Sequence, residues 1–206
     1  VFACALAIER NPPAARAIRD AGLDVCCHGW RWIEHYKLDE EQEREHIRRA
    51  VASLKATLGA APDGWYCRYG PSENTRRLSV EQGGFLYDSD SYADDLPFWV
   101  KVGDVDRLVV PYSLAHNDGQ FVRGAVATGG QFFEFLKDGF DVLYAEGAER
   151  PKLMNVGLHM RIVGQPARAA GVARFLDYVK SFPDVWVAPR NAIARHWAET
   201  HSPPAD

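Results

Sequence analysis

Short apolar runs alternate with longer amphipathic stretches along the whole chain. Short, mostly apolar runs of up to seven residues indicate buried strands, whereas apolar residues recurring every three to four positions indicate helices. Strands separated in this way by helices predict a mainly parallel sheet with crossover helices. The predicted strands cover residues 1–7, 24–27, 64–67, 85–87, 108–112, 153–158 and 185–187.

The predicted helices lie between these runs, at 13–21, 39–58, 72–82, 132–144, 167–179 and 192–199. The second is the most clearly marked, because Asp39 and Gln42 have the spacing of a capping box and Gly59 follows its last apolar residue. Its apolar stripe consists of Ile47, Val51, Leu54 and Leu58. Residues 92–107, rich in Asp, Pro and aromatics, predict a long loop.

The element order favours a (β/α) barrel over a dinucleotide-binding fold. No Gly-x-Gly-x-x-Gly follows the first strand, and such a motif would be expected there if the chain bound a dinucleotide. We find no internal repeat or linker, so we predict a single domain over 1–206. Because residue 1 already reads as part of a core strand, we expect the chain to be the C-terminal part of a longer protein.

Composition excludes several classes of function. The 206 residues carry a net charge of −4, which gives no basic surface for nucleic acid, and no apolar run approaches the roughly 20 residues that span a membrane. The four cysteines form no Cys-x-x-Cys pair and lie in apolar runs. We therefore expect reduced core thiols, which are typical of a cytoplasmic protein.

Three polar residues directly follow predicted strands: His28, Arg68 and His159. In a barrel, the strand ends collect at one mouth, so we expect these three side chains to share a pocket. His159 can transfer a proton near neutral pH. Arg68 requires a carboxylate partner or an anionic or carbonyl ligand, because a buried, unpaired cation is costly. His28 can either face a ligand beside Gly29 or be bonded to the backbone within the core.

The neighbouring residues leave further alternatives open. Trp30 and Trp32 are predicted to line a substrate pocket, or else to form a packed core rim. Asp88 and Asp90 follow another strand and could pair with Arg68, orient a histidine or cap a turn. Tyr69 and Arg161 are further candidates for substrate binding, beside Arg68 and His159. The spacing between His28 and His35 is weak evidence for zinc.

Five strings resemble the polysaccharide deacetylase superfamily and, within it, the metal-independent allantoinases. They are Phe2–Ala7, Cys26–Trp32, Trp65–Pro71, Tyr87–Tyr92 and Gly157–His159. The resemblance implies an irregular seven-stranded (β/α) barrel, here lacking its N-terminal part. It also implies that His28 matches the first histidine of a His-x-x-x-His zinc motif, whose second position is Trp32. Since Trp32 cannot ligate a metal, the resemblance implies no metal and no cofactor.

The resemblance further implies hydrolysis of the hydantoin ring of allantoin to allantoate, in purine degradation by a homo-oligomer. His159 would deliver a proton, and Arg68 would polarise a ring carbonyl or hold the carboxylates of the N-terminal segment. His28 and Trp32 would shape the substrate space. Asp88 and Asp90 would orient neighbouring groups, and the base that activates water would lie in the absent N-terminal segment. The alternatives are a zinc-dependent polysaccharide N-deacetylase and a non-catalytic barrel remnant that serves as a binding module.

Overall fold

Four short strands pair in parallel in the order in which they occur along the chain. The computed structural model describes residues 1–68 and 70–204. The strands are β1 (Phe2–Ala3), β2 (Cys26–Cys27), β3 (Gly64–Trp65), β4 (Tyr87–Asp88), β5 (Phe98–Val102), β6 (Val105–Val109), β7 (His116–Asn117) and β8 (Val156–Gly157). The first six form one sheet, in the order β1-β2-β3-β4-β6-β5, and β7 pairs in parallel with β8.

The helices lie between β1 and β4 and on either side of β8, whereas within the described residues none separates β4, β5, β6 and β7. The helices are α1 (Ala5–Glu9), α2 (Pro12–Asp20), α3 (Glu40–Leu58), α4 (Thr75–Gln82), α5 (Gln120–Arg123), α6 (Gly129–Gly147), α7 (Met160–Val163), α8 (Pro166–Val179) and α9 (Arg190–Thr200). The chain divides into two compact units. Unit 1 comprises Val1–Pro111 and the segment from Ala188 onward, and unit 2 comprises Tyr112–Val187.

Helix α3 packs against the sheet of unit 1, and its apolar residues form a large part of the core between them. Its predicted capping box is present: the Asp39 carboxylate accepts the Gln42 N–H at 2.8 Å, and the Gln42 side chain accepts the Asp39 N–H at 3.3 Å. Gly59 ends the helix with a φ of +82°, a conformation that costs glycine little. The core on this side of the unit contains Ile47, Leu54, Leu58, Trp65 and Leu78.

The C-terminal helix α9 fastens the ends of two strands in unit 1. The Arg190 guanidinium donates to the Val110 carbonyl at 2.9 Å and to the Ser89 hydroxyl at 3.1 Å. The Asn191 amide donates to the Asp63 carboxylate at 2.9 Å. Unit 1 is therefore built from two stretches of sequence that unit 2 separates.

Unit 2 packs α6 against α8 around an aromatic core that includes Phe132, Phe140 and Phe175. The two helices approach closely because glycines meet at the crossing, where a Cβ on Gly171 would lie 2.1 Å from the Gly129 carbonyl oxygen. The parallel pair β7 and β8 brings Asn117 beside Gly157.

Two predictions about secondary structure are wrong. Residues 1–7 do not form one strand: after β1 the chain turns into α1, whose alanines and leucine have high helix propensity. Residues 92–107 are not a loop throughout, because β5 and β6 form an antiparallel hairpin. Gly103, with a φ of +59°, and Asp104 make its two-residue turn, and Gly-Asp between alternating apolar residues was the signal for it.

The remaining strand predictions differ in extent. Residues 185–187 form no strand, and Trp186 and Val187 are exposed, so this apolar run does not mark burial. An α/β fold with a mainly parallel sheet is confirmed. Within the described residues the six-stranded sheet is open, with β1 and β5 at its edges, so barrel closure and the single domain stay predictions. No helix in this part of the chain is long and apolar enough to cross a bilayer.

Candidate functional site

His28 follows β2 directly and has hydrogen bonds at both ring nitrogens. Its Nδ1 lies 2.6 Å from the Tyr66 carbonyl oxygen, and because a carbonyl only accepts, Nδ1 carries the proton. Its Nε2 therefore holds a lone pair, which accepts the Trp32 indole N–H at 3.2 Å. The imidazole also stacks on the Tyr66 ring, with centroids 5.3 Å apart and planes 5° apart. His28 is thus a neutral, oriented imidazole, tied both to the backbone and to Trp32.

Arg68 lies over the ring of Trp32, the residue that donates to His28. Its guanidinium is 3.9 Å from the centre of the Trp32 ring and pairs with the Glu34 carboxylate at 3.1 Å. Stacking on an aromatic face and a carboxylate partner together hold the planar group in one orientation. Sequence reasoning missed Glu34, whose only signal was its position between Trp32 and His35 in the same loop. His28, Trp32, Arg68 and Glu34 form one connected set, here called the tryptophan cluster.

Trp30 and Trp32 have different environments. Trp30 is half-buried against the core of unit 1, and the Arg49 guanidinium lies 4.5 Å from its ring centre. Trp32 has 41% of its surface exposed within the tryptophan cluster. Trp30 also lines a surface cavity with His46 and Arg49, so the pocket and core-rim interpretations of both tryptophans stay predictions.

Both carboxylate oxygens of Asp88, at the end of β4, accept hydrogen bonds from arginines. Its carboxylate accepts from Arg76 at 3.1 and 3.2 Å and from Arg107 at 3.4 Å, and the side chain is buried. The suggestion that Asp88 pairs with Arg68 is wrong, because Arg68 pairs with Glu34. A catalytic role for Asp88 stays a prediction, and these contacts favour a structural one.

Asp90 is buried two residues beyond β4 and binds the chain at the end of β3. One carboxylate oxygen accepts the Cys67 N–H at 2.9 Å, and the other has no hydrogen-bond partner among the described residues. Burial, together with the neighbouring Asp88 carboxylate, raises the pKa of Asp90 to about 7. Its pairing with Arg68 is likewise not observed.

This burial predicts a pH dependence of stability. The pKa of Asp90 is higher in the folded state than its ordinary value near 4, so between about pH 4 and 7 the folded state keeps a proton that the unfolded chain loses. Stability from this group therefore falls as pH rises through that window. In urea unfolding, we expect the free energy of unfolding of Asp90→Asn to fall by about 1–2 kcal/mol less than that of the wild type between pH 5 and 6.5. Parallel profiles for the two proteins would contradict the assignment.

In unit 2, His159 is held by a buried aspartate. Its Nδ1 lies 2.6 Å from one oxygen of Asp118, and its backbone N–H donates to the other oxygen at 2.6 Å. The Asp118 side chain is fully buried, whereas that of His159 is one-third exposed. With the Nδ1 proton directed at Asp118, Nε2 is left as the nitrogen that can accept or deliver a proton. Asp118 was not predicted, because nothing in the sequence places it 41 positions away from its partner.

The other candidates remain unassigned. Arg161 is exposed in α7, two residues after His159, and Tyr69 lies outside the described residues. His35, the alternative metal ligand, is buried and its Nδ1 bonds the Glu43 carboxylate at 2.9 Å. Across residues 1–68 and 70–204, no three His, Cys, Asp or Glu side chains lie together as a metal site would need. That His28, Arg68 and His159 share one pocket stays a prediction.

Known proteins similar to this chain point to one family. The family model for polysaccharide deacetylase matches residues 1–87. A Schizosaccharomyces pombe protein assigned by name to the polysaccharide deacetylases is 38% identical over 218 residues, covering 97% of this chain and 68% of its own. The crystal structure of a probable polysaccharide deacetylase from Pseudomonas aeruginosa is 50% identical, with a TM-score of 0.91, and covers 98% of this chain and 68% of that one. The crystal structure of PuuE allantoinase is also 50% identical, with a TM-score of 0.92 and coverages of 97% and 67%. The chain belongs to the polysaccharide deacetylase family.

Proposed function

We propose that the protein is a cyclic amide hydrolase that opens the hydantoin ring of allantoin without a metal ion. Support comes from the 50% identity to an allantoinase and from the hydrogen bond between Trp32 and His28. The identity alone does not discriminate, because a protein named as a deacetylase is equally similar. The hydrogen bond at His28 is the observation that carries the proposal.

A metal ion does not fit the tryptophan cluster as it is built. A histidine ligand needs a free lone pair about 2.0–2.1 Å from the metal. In His28, the Nδ1 position carries a proton that is donated to Tyr66, and the Nε2 lone pair already accepts the Trp32 N–H. Trp32, four residues on, offers a donor where a second ligand would need an acceptor.

The His159–Asp118 pair suits proton transfer to a leaving nitrogen. Hydrolysis of a cyclic amide adds water to a ring carbonyl carbon, breaks the carbon–nitrogen bond and requires a proton on the departing nitrogen. Asp118 fixes the tautomer of His159, which leaves Nε2 as the nitrogen that transfers that proton. His159 is the group that we assign to this step.

Arg68 suits stabilisation of the charge that develops on the carbonyl oxygen. A guanidinium fixed in advance by Glu34 and by the Trp32 ring loses little freedom when it binds an oxygen. Neutral His28 and Trp32 would then line the space beside it. The ligand that we propose for this arrangement is the small, polar hydantoin ring of allantoin.

A second candidate is a zinc-dependent N-deacetylase that acts on a sugar polymer. It is favoured by the family model and by the name of the Schizosaccharomyces pombe relative. For this function, the Trp32 indole would have to leave His28 and other residues would have to supply the remaining ligands.

One experiment separates these functions: hydrolysis of allantoin by the full-length protein, followed as allantoate release, with and without a strong chelator. We expect turnover that survives chelation and is not raised by added zinc, because no described group is arranged to hold a metal. A zinc-dependent hydrolase assayed in parallel confirms that the chelator works. Loss of turnover on chelation and recovery with zinc would overturn the metal-free mechanism. Release of acetate from an N-acetylglucosamine oligomer, without allantoin turnover, would favour the deacetylase.

A further inference from the structure

Helix α3 carries two polar side chains on its buried face, one turn apart. Glu43 and His46 are 0% and 8% exposed and lie among the apolar residues that pack against the sheet of unit 1. Burying such groups costs free energy unless they form hydrogen bonds, so their partners indicate what they do. Neither residue has a role in the chemistry proposed above.

His46 accepts a hydrogen bond from the backbone of the loop that carries His28 and Trp32. Its Nε2 accepts the Arg31 N–H at 3.1 Å, and the Trp30 N–H faces Nδ1 at 3.4 Å. An imidazolium has no lone pair, so only a neutral ring can hold this backbone. Burial, the nearby His35 and the Arg49 cation lower the pKa of His46 to about 4, which keeps the ring neutral.

The same loop rests on two histidine rings. Gly29 has a φ of +81°, and a Cβ there would lie 3.1 Å from Cε1 of His46 and 3.4 Å from Nε2 of His35. Those two rings meet edge to face, with centroids 4.8 Å apart. The backbone between His28 and Trp32 therefore takes its path from the surface that His35 and His46 provide.

Glu43 joins this surface to the segment that follows Arg68. One of its carboxylate oxygens accepts from Nδ1 of His35 at 2.9 Å and also from the Thr75 hydroxyl. The other oxygen accepts from the Ser72 hydroxyl at 2.5 Å. Thr75 begins α4, and Ser72 lies three residues before it, only a few residues after Arg68. A single buried carboxylate therefore binds both loops that supply the tryptophan cluster.

We propose that Glu43 and His46 are positioning residues that hold the Trp32 indole on His28 and under Arg68. The link to catalysis rests on the proposed function, whereas the placement of the Trp32 indole does not. Through His35 and the loop amides, α3 sets the path of residues 28–35; through Ser72 and Thr75, it sets where the Arg68 segment leaves the sheet.

The test uses matched pairs of variants in the full-length protein. Glu43→Met and His46→Leu remove the hydrogen-bond acceptors at similar volume, whereas Glu43→Gln and His46→Gln each keep an acceptor oxygen. Glu41→Met removes the same charge from an exposed position of α3 and serves as the control. One readout is the Trp32 indole N–H resonance, assigned with Trp32→Phe, and the other is kcat and KM for allantoin.

We expect Glu43→Met and His46→Leu to move the Trp32 resonance towards that of a solvent-exposed indole and to lower kcat roughly 10- to 100-fold, with a smaller change in KM. The glutamine variants should recover most of both signals, and Glu41→Met should match the wild type.

If folded Met and Leu variants keep the wild-type resonance and kcat, the proposal is wrong. If the wild type itself does not turn over allantoin, the proposed function fails, while the resonance still decides the positioning role. Should either non-polar variant fail to fold, its glutamine counterpart decides: a wild-type resonance supports the acceptor role, and a shifted one contradicts it.

Discussion

Replacing Asp118 with Asn is expected to lower kcat for allantoin hydrolysis by about 10³-fold or more. The aspartate accepts from both Nδ1 and the backbone N–H of His159, so it fixes the Nδ1–H tautomer and the orientation of the ring. An asparagine that keeps the backbone bond can direct its NH₂ group at Nδ1, which moves the ring proton to Nε2. The nitrogen assigned to proton transfer would then hold its proton without a carboxylate to support its charged form.

The control for this variant is Asp184→Asn, which makes the same change at an exposed position of unit 2. It should leave kcat unchanged. Near-ultraviolet circular dichroism of Asp118→Asn should match the wild type, because the side chain keeps its volume and one acceptor oxygen. A folded Asp118→Asn protein with kcat within threefold of the wild type would remove His159 from the proposed mechanism.

Replacing Asp88 with Ala is expected to destabilise unit 1 by about 3–5 kcal/mol, the range found when one partner of a buried ion pair is removed. Arg107 is 6% exposed and donates to the Phe85 carbonyl and to Asp88, so removal of the carboxylate takes away its ion-pair partner. Arg76 loses two hydrogen bonds in the same change. Urea unfolding, followed by tryptophan fluorescence, measures the loss.

Asp106→Ala is the comparison for this experiment. Asp106 pairs with Lys101 across the β5–β6 hairpin at 3.2 Å, and both side chains are at least one-third exposed. Such a pair contributes about 0–1 kcal/mol. If Asp88→Ala lowers the free energy of unfolding no more than Asp106→Ala does but abolishes turnover, the structural role is wrong. That result would support the catalytic role predicted from the sequence.

The fold follows from the sequence where local signals are strong. Helix α3 has a capping box, a stripe of apolar residues and a terminal glycine, all of which act within a few residues of one another. The strand predicted over residues 1–7 was wrong because an alanine-rich apolar run is compatible with a buried strand and with a helix. The β5–β6 hairpin was missed because the aspartates and proline before it suggested a loop, although its Gly103–Asp104 turn was readable.

The candidate site follows from the sequence only in part. Strand ends could be recognised, and so His28, Arg68 and His159 could be chosen. Their partners could not be, since Glu34 and Asp118 are brought to them by tertiary packing and not by spacing along the chain. The hydrogen bonds on the two nitrogens of His28, to the Tyr66 carbonyl and from the Trp32 indole, are likewise recorded by no sequence pattern.

The attachment of α9 to the ends of β4 and β6 has a consequence for synthesis on the ribosome. Unit 2 is continuous in sequence and can fold as soon as residues 112–187 have emerged. Unit 1 must wait until Arg190 follows before the ends of β4 and β6 gain these hydrogen bonds. During that interval the first half of the chain exposes strand edges and apolar surface, and it is then that a nascent chain of this family would depend most on chaperones.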